Sequence, residues 1–365
     1  MNQGSFCLIK ILCHFRLTTF LYFKHSELIQ KMGFERKWRL QFADFHVILF
    51  LTYERNKEGD FGMHESLPQG AIYDFIKEKT LMPPPFLEFP TYGRYCMGWR
   101  MGAGESYVMK FGAWLDRFCE ADQKIYKNHF PSPITLFDYW NDDLEQMDFP
   151  EEYEHGELFS YRWSLTGSTK YNMEWLRKTV STEEPLRFRF FENGVPYGKK
   201  TVDPCSVWAR SSFTPPCFPE QETMYCAADY LIYCKALFTG RSALIMNAWE
   251  RLGSPDGIRE TAKKLAPYTD DEWKRIFPDI LALSQYFKFS ENTDFRKFLL
   301  SCKEDIFFCI DTEDPILGCQ IVTNAATGEQ EIIGENLLGF AIMNARDEIR
   351  KVYGNLSLCE NFKMK

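Results

Sequence analysis

The sequence predicts an α+β fold that is predominantly helical, with a small β component. Apolar residues recur at three- and four-residue steps over 105–127, and the apolar run over 225–238 is typical of a buried helix. Two short runs rich in aromatic and β-branched residues, 187–191 and 307–310, indicate strands. Several helices with few strands place the chain in the α+β class.

The length of the chain indicates two domains. It has 365 residues, of which 45% are hydrophobic, 26% charged and 16% aromatic, as in globular proteins apart from the high aromatic content. The net charge of −8 argues against general nucleic-acid binding, which requires a basic face. We predict an N-terminal region at 1–160, a boundary or linker at 161–184, a second domain at 185–355 and a tail at 356–365.

The N-terminal region is rich in aromatic residues and is expected to be α+β, but the sequence does not indicate its role. Residues 45–53 predict a buried strand, and residues 71–78 a short helix that ends before three consecutive prolines. Residues 105–127 predict one amphipathic helix. Residues 141–160 contain eight acidic residues and no Lys or Arg, which is typical of a solvated face or a linker.

The cysteine pattern favours a reducing compartment. The twelve cysteines include no CxxC pair, and several lie in apolar runs, as expected of buried free thiols. The spacing of zinc ligands is also absent, so neither a metal nor a cofactor is expected. We expect an intracellular protein, in the cytoplasm or nucleus.

The first 50 residues leave a second localisation open. They contain seven Lys or Arg against three acidic residues, which makes a mitochondrial targeting segment the alternative. Charged residues interrupt the apolar stretch at 6–23, so a membrane span is not expected. The sequence indicates no protein partner.

The positions of the histidines restrict the chemistry of the second domain. The last of the six histidines is His155, so the second domain contains no imidazole. A nucleophile activated by histidine is therefore excluded there. Acid or base catalysis must come from Asp, Glu, Lys, Tyr or water.

The second domain has a clear order of predicted elements. The strand at 187–191 is followed by Asn193-Gly194, which predicts a hairpin. The helix over 225–238 is expected to end at Gly240. A helical stretch through 286–300, a strand at 307–310 and a last helix through Met343 and Arg346 complete the domain.

This ordered set resembles the NADAR, or YbiA-like, family over residues 185 to 353. The matching positions follow the order of the family's elements: Ser206, Trp208 and Phe213, then Tyr230, Lys235 and Ala236, then Trp273, Lys288 and Phe289, then Asp314 and Gly318, and finally Gly334, Asn336, Leu338, Gly339, Met343 and Arg346. The resemblance implies a YbiA-like α+β domain. It also implies a hydrolase that cleaves N-glycosidic bonds, in ADP-ribosylated guanine or in a riboflavin-pathway intermediate.

The sequence departs from the family pattern where an acid is expected. Ala228 replaces the acidic residue of the helix, Leu317 replaces a Trp, and Gln320 replaces a Gly. Ala228 and Lys235 are seven residues apart and share one helix face, whereas Asp229 points about a quarter-turn away. The alternative to an active hydrolase is therefore a pseudoenzyme that binds ADP-ribose or related ligands, or an interaction module.

Cleavage of an N-glycosidic bond requires a carboxylate near the sugar cation and a proton donor for the base. Asp314 and Asp229 are the candidate catalytic residues, and Glu220 and Glu222 are further acids in the preceding loop. Aromatic and cationic groups suit the base and the phosphates. The candidate binding residues are Ser206, Trp208, Tyr230, Lys235, Trp273, Lys288, Asn336 and Arg346.

Five of these residues also have a structural alternative. Asp314 precedes a proline and suits an Asx turn. Asn336 could cap the last helix, and Arg346 could pair with a surface acid. The two tryptophans, Trp208 and Trp273, are equally suited to the core.

Overall fold

The computed structural model of the protein describes most of the chain after residue 65. The described residues are 66–92, 96–136, 139–140, 170–180, 185–194, 202–215, 223–240, 257, 260–261, 264, 271–311, 313–323, 325, 328 and 330–364. They belong to one compact unit that begins at Ser66. The predicted strand at 45–53, the acidic run at 141–160 and both Glu220 and Glu222 lie outside the described residues.

The first part of this unit is helical. Its helices are α1 (Ile72–Glu78), α2 (Pro85–Glu88), α3 (Ala103–Leu115) and α4 (Glu120–His129). The prediction of one helix over 105–127 is wrong, because the chain turns between α3 and α4. Phe118 lies in this turn and is buried with Leu115 and Tyr126. The apolar spacing therefore continues across the break, which is why it predicted a single helix.

The segment 356–365, predicted as a tail, contacts the end of α1. The Leu81 N–H donates to the Leu358 carbonyl at 3.1 Å, and the Asn361 N–H donates to the Lys79 carbonyl at 2.9 Å. Lys79 and Glu360 also form an ion pair at 2.9 Å. Residues far apart in sequence are thus joined by backbone hydrogen bonds.

Four strands of the described chain form one mixed sheet in the order β1-β2-β3-β4. They are β1 (Phe188–Glu192), β2 (Ile306–Ile310), β3 (Cys319–Thr323) and β4 (Gln330–Gly334). β1 is parallel to β2, β2 to β3, and β3 is antiparallel to β4. The strand predicted at 307–310 is confirmed. The second strand of the hairpin predicted after residue 191 would lie in 195–201, outside the described residues. The Asn193 side chain accepts a hydrogen bond from the Val207 N–H at 3.1 Å.

Five further helices complete the described fold: α5 (Met173–Val180), α6 (Ala227–Phe238), α7 (Asp271–Glu291), α8 (Thr293–Ser301) and α9 (Leu337–Tyr353). α7 packs between α6 and α9, and α9 packs on β2. Because side chains alternate along a strand, Phe191, Phe307 and Cys309 are buried on one face of the sheet. The α+β class, with helices predominating over a small sheet, is confirmed.

Two glycines allow close backbone contacts, one between α9 and β2 and the other between the end of β4 and the start of β3. A Cβ at Gly339 would lie 2.3 Å from the Phe307 carbonyl oxygen, so only glycine permits this contact. Gly334 has a φ of 110°, and a Cβ there would lie 2.6 Å from the Gly318 carbonyl oxygen. These two positions account for the spacing of the closing Gly-x-Asn-x-x-Gly sequence.

Candidate functional site

Polar residues converge where the parallel strands β1 and β2 end. Their last residues, Glu192 and Ile310, are paired, so the segments that follow leave the sheet at the same edge. Asn193 follows β1, and Asp311 and Asp314 follow β2. In sheets with parallel strands, ligands bind preferentially beyond the carboxyl ends of the strands. This edge is therefore the candidate functional site.

Asp314 is half-buried at this edge and is held by the backbone. Its Oδ1 accepts hydrogen bonds from the Ile316 and Leu317 N–H groups, each at 3.0 Å. The Asx turn anticipated from the sequence is thus present. Among the described residues, Oδ2 has no hydrogen-bond partner, so the carboxylate combines a fixed orientation with one available oxygen.

Ser206 is fully buried beside Asn193. Its hydroxyl lies 3.1 Å from Asn193 Oδ1 and 3.2 Å from the Gly194 carbonyl oxygen, and it accepts from the Trp208 N–H at 3.1 Å. These contacts fix the loop over 202–215 to the end of β1. Ser206 is therefore a buried residue that positions the loop at the candidate site.

Lys288 of α7 binds the same loop. Its Nζ donates to the Ser206 carbonyl at 3.0 Å, and its exposure is 0%. Burial lowers the pKa of Lys288 from 10.5 to about 8, although Cys205, Cys226 and Asp203 oppose this change. Since the ammonium is enclosed by protein, its observed contact is structural.

The first turn of α6 contains Ala228, which stands where the family pattern has an acidic residue. Ala228 is buried, and its N–H donates to the Val207 carbonyl at 3.0 Å. The neighbouring Asp229 is only 1% exposed, and its Oδ2 accepts from the Tyr225 N–H at 3.0 Å. This hydrogen bond gives Asp229 a role in fixing the helix start.

The remaining groups of α6 differ in their access to solvent. Tyr230 is fully buried, with its ring 5.6 Å from the Phe287 ring and 6.3 Å from the Phe213 ring. Lys235, by contrast, is half-buried, and burial lowers its pKa. Of these two predicted binding residues, Lys235 has the more accessible side chain.

The two predicted tryptophans also differ. Trp208 is half-buried in the loop that carries Ser206. Trp273 is buried in α7, where its ring lies 5.5 Å from Phe238 and 5.7 Å from Phe277. Trp208 thus retains some exposure, whereas Trp273 has the environment of a core residue.

Asn336 and Arg346 connect α9 to β2. Asn336 Oδ1 accepts from the Cys309 N–H at 2.9 Å, and its Nδ2 donates to the Phe307 carbonyl at 3.0 Å. Arg346 donates to the Asp305 carbonyl at 2.6 Å and is 1% exposed. Asn336 does precede α9, but its side chain bonds the strand rather than capping the helix. Arg346 is therefore an interior residue.

Residues 196–350 match the family model of the NADAR domain. The second half of this chain contains a NADAR domain. None of the curated proteins is significantly similar to the chain.

The NADAR domain brings some of the predicted residues together and separates others. Asp314 lies at the carboxyl edge of the sheet, where Asn193 connects the end of β1 to Ser206 and through it to Lys288. Arg346 lies on α9 and Asn336 immediately precedes that helix, and both bond the backbone of β2 or of the residue before it. In the described part of the chain, no cluster of His, Cys, Asp or Glu is arranged to hold a metal ion, and none of the described helices is long and apolar enough to span a bilayer.

Glu291, the last residue of α7, is an acid of the NADAR domain that the sequence did not single out. Its Oε2 accepts from the Thr214 N–H at 2.9 Å, while its Oε1 is buried and has no hydrogen-bond partner among the described residues. Burial raises the pKa of Glu291 from 4.5 to about 8, against the effect of the Thr214 amide. Only its position three residues after Lys288, on the same helix face, could have indicated this placement.

We expect Asn336→Ala to lower the free energy of unfolding by about 2–3 kcal/mol, because it leaves a buried N–H of Cys309 and a buried carbonyl of Phe307 without partners. Asn336→Asp retains the acceptor for Cys309 and should cost less. Urea unfolding followed by circular dichroism measures both values. Equal stability of the alanine variant and the wild type would show that these two hydrogen bonds contribute nothing.

Proposed function

We propose that the NADAR domain hydrolyses the N-glycosidic bond between a ribosyl or ADP-ribosyl group and a base. The substrate class is ADP-ribosylated guanine or an intermediate like those of the riboflavin pathway. The family match over residues 196–350 supports this reaction class. The proposal concerns the domain alone and assigns no role to residues 1–160.

The observation that carries the proposal is the Asp314 carboxylate at the end of β2. Breaking the bond to the base develops positive charge on the sugar, and a nearby carboxylate stabilises that charge. Two backbone N–H groups fix Asp314 Oδ1, so the second oxygen is oriented before the substrate binds. Such preorganisation avoids the cost of reorienting the group in the transition state.

The structure refines the roles proposed for the other residues. Trp208 and Lys235 are half-buried, and we propose that they contact the base and a phosphate or sugar oxygen, respectively. Ser206, Tyr230 and Lys288 are enclosed by protein and support the loop and helix that carry those contacts. Their contribution to binding is therefore through the shape of the site.

A second candidate function is binding of the same ligand without hydrolysis. It is favoured by the buried Ala228 and by Asp229, whose carboxylate bonds the backbone of Tyr225. In this case the domain would recognise an ADP-ribosyl group and act as a binding or interaction module. The two functions predict the same ligand and differ in turnover.

We expect Asp314→Asn to reduce the release of guanine from ADP-ribosylated guanosine by at least about 100-fold, because the charge that stabilises the sugar cation is lost. The Asn side-chain oxygen can still accept from Ile316 and Leu317, so the turn and ligand affinity should be retained. Chromatography measures the released guanine, and calorimetry measures affinity. Glu313→Gln, which removes an exposed carboxylate from the same loop, is the matched control.

Three outcomes separate the candidates. Turnover by the wild type that Asp314→Asn abolishes supports the hydrolase and excludes the binding-only function. Binding without turnover, with turnover gained in a folded Ala228→Glu variant, supports the binding-only function. If the wild type neither binds nor cleaves the ligand, the proposed substrate class is wrong.

A further inference from the structure

Asp314 lies in the loop that connects β2 to β3, residues 311–318, of which all but residue 312 are described. Ile310 and Cys319, on either side of the loop, are paired in the sheet. The chain therefore leaves β2 and enters the neighbouring strand at the same level of the sheet. The position of Asp314 depends on how this short connection is fixed.

The second half of the loop is bonded to the start of α9. The backbone carbonyls of residues 315–318 accept one hydrogen bond each from the N–H groups of residues 335–338, at distances between 2.7 and 3.1 Å. Bonds between backbone groups do not depend on the identity of a side chain. The fold itself therefore fixes this half of the loop.

The first half of the loop is fixed by a side chain, that of Asp311. Asp311 Oδ1 accepts from the Glu313 N–H at 2.9 Å and from the Asp314 N–H at 3.0 Å. These bonds form a second Asx turn, directly before the one that Asp314 itself forms. The backbone N–H of Asp314 thus has its partner in a carboxylate and not in the sheet or in α9.

The two turns share Asp314 and act in series. Asp311 Oδ1 fixes the Asp314 backbone, while Asp314 Oδ1 accepts from the Ile316 and Leu317 N–H groups at 3.0 Å. The Asp314 carbonyl also accepts from the Gly318 N–H at 2.9 Å. The direction of Asp314 Oδ2 is therefore set from both sides, by Asp311 before it and by the segment bonded to α9 after it.

Gly318 provides the space for the Asp311 side chain. A Cβ at position 318 would lie 2.4 Å from Asp311 Cβ and 3.0 Å from the Cys309 carbonyl oxygen. A larger residue at 318 would therefore displace Asp311. This contact gives a physical reason for the glycine that follows Leu317.

We propose that Asp311 is a positioning residue that fixes the Asp314 backbone so that Oδ2 points to the sugar cation. This inference rests on the proposed hydrolysis. Asp311 acts through its acceptor oxygen and not through its charge, and it makes no contact with the substrate. Misplacing a catalytic group by about 1 Å can cost about 100-fold in rate, so the loss of Asp311 affects turnover more than binding.

Two variants that retain opposite properties of Asp311 test this role. Asp311→Asn keeps the acceptor in place and removes the charge, whereas Asp311→Glu keeps the charge and moves the acceptor by one methylene. We expect Asp311→Asn to release guanine from ADP-ribosylated guanosine within about 3-fold of the wild-type rate, and Asp311→Glu to lower kcat by at least about 10-fold with KM unchanged. Glu313→Gln, at an exposed position of the same loop, is the matched control.

A double variant measures whether Asp311 acts through Asp314. In an Asp314→Asn background, Asp311→Glu should change the residual rate of guanine release by less than about 2-fold, because the group that it positions is already lost. A further loss of about 10-fold would show an effect that is independent of Asp314 and would contradict the positioning role.

Amide hydrogen exchange tests the same contact without turnover. The Asp314 amide should exchange at least about 10-fold faster in Asp311→Glu and at the wild-type rate in Asp311→Asn, while the amides of 335–338 keep their protection in both variants. Loss of protection at 335–338 as well would show a general structural role and would refute the positioning role.

The outcomes separate this inference from the proposed function. Wild-type kcat in Asp311→Glu, while Asp314→Asn abolishes turnover, would refute the role of Asp311 and leave the hydrolase intact. Loss of turnover in Asp311→Asn with retention in Asp311→Glu would show that the charge acts, and would also refute it. Failure of the wild type to cleave the substrate would refute the hydrolysis and the role of Asp311 in it. Unchanged exchange of the Asp314 amide in Asp311→Glu would refute the positioning itself, whatever the turnover.

Discussion

Replacing Arg346 with alanine is expected to lower the free energy of unfolding by about 3–5 kcal/mol. Arg346 is among the largest fully buried side chains, and its guanidinium lies 5.7 Å from the Phe307 ring. Truncation leaves a cavity beneath β2 and removes the donor for the Asp305 carbonyl. It also removes the ion pair between Arg346 Nε and Asp347 Oδ1, at 3.6 Å. Chemical denaturation at neutral pH measures the difference.

Arg350→Ala is the matched control for this prediction. Arg350 lies one turn later on α9, pairs with Glu304 at 2.9 Å, and has a side chain that is 36% exposed. An exposed ion pair contributes less than about 1 kcal/mol, so the control should remain near wild-type stability. Arg346→Met separates volume from hydrogen bonding, because it fills most of the cavity without donating. Equal destabilisation by Arg346→Ala and Arg350→Ala would contradict the assignment of Arg346 to the interior.

Glu291→Gln should abolish a fall in stability between about pH 5 and pH 8. In this window the folded protein keeps the Glu291 proton, whose pKa is about 8, while the unfolded chain has released it near 4.5. The folded state binds more protons, so its stability decreases as the pH rises. After allowance for partial solvent exposure, the loss is about 3 kcal/mol. Urea unfolding at pH 5, 7 and 8 measures it.

Other groups titrate in or near this window and can be separated from Glu291. Burial raises the pKa of Asp279 to about 6, but Asp279 is present in both proteins and cancels in the comparison. Lys288 acts at higher pH, because its pKa of about 8 lies below the ordinary 10.5 and stability recovers between these values. The same pH slope in Glu291→Gln and wild type would show that Glu291 is not protonated in the fold.

The sequence predicted the fold best where local signals and burial agree. The strand at 307–310 and the helical stretch through 286–300 follow from apolar patterning. The start of a new helix after Asn292, whose side chain accepts from the Phe295 N–H at 3.1 Å, was not predicted. The contact of Asn193 was not predictable from local signals, because its side chain bonds Ser206, which is 13 residues away in sequence.

The candidate site was less predictable because residue type does not reveal exposure. Lys288 and Arg346 were candidate binding residues because cationic groups suit phosphates, yet both are enclosed and bond backbone carbonyls. Glu291 was missed for the complementary reason. Its proton affinity depends on burial and on the Thr214 amide, which is 77 residues away in sequence.

The hydrogen bonds between the end of α1 and the segment after residue 354 have a consequence for synthesis. The Asn361 side chain donates to the Glu78 carbonyl across 283 residues. A ribosome adds about 5–20 residues per second. The segment that bonds α1 is therefore synthesised roughly 15–60 seconds after α1 itself. During that interval the apolar surface of the early helices is open to chaperones. The order of translation, as well as stability, therefore determines when this unit can close.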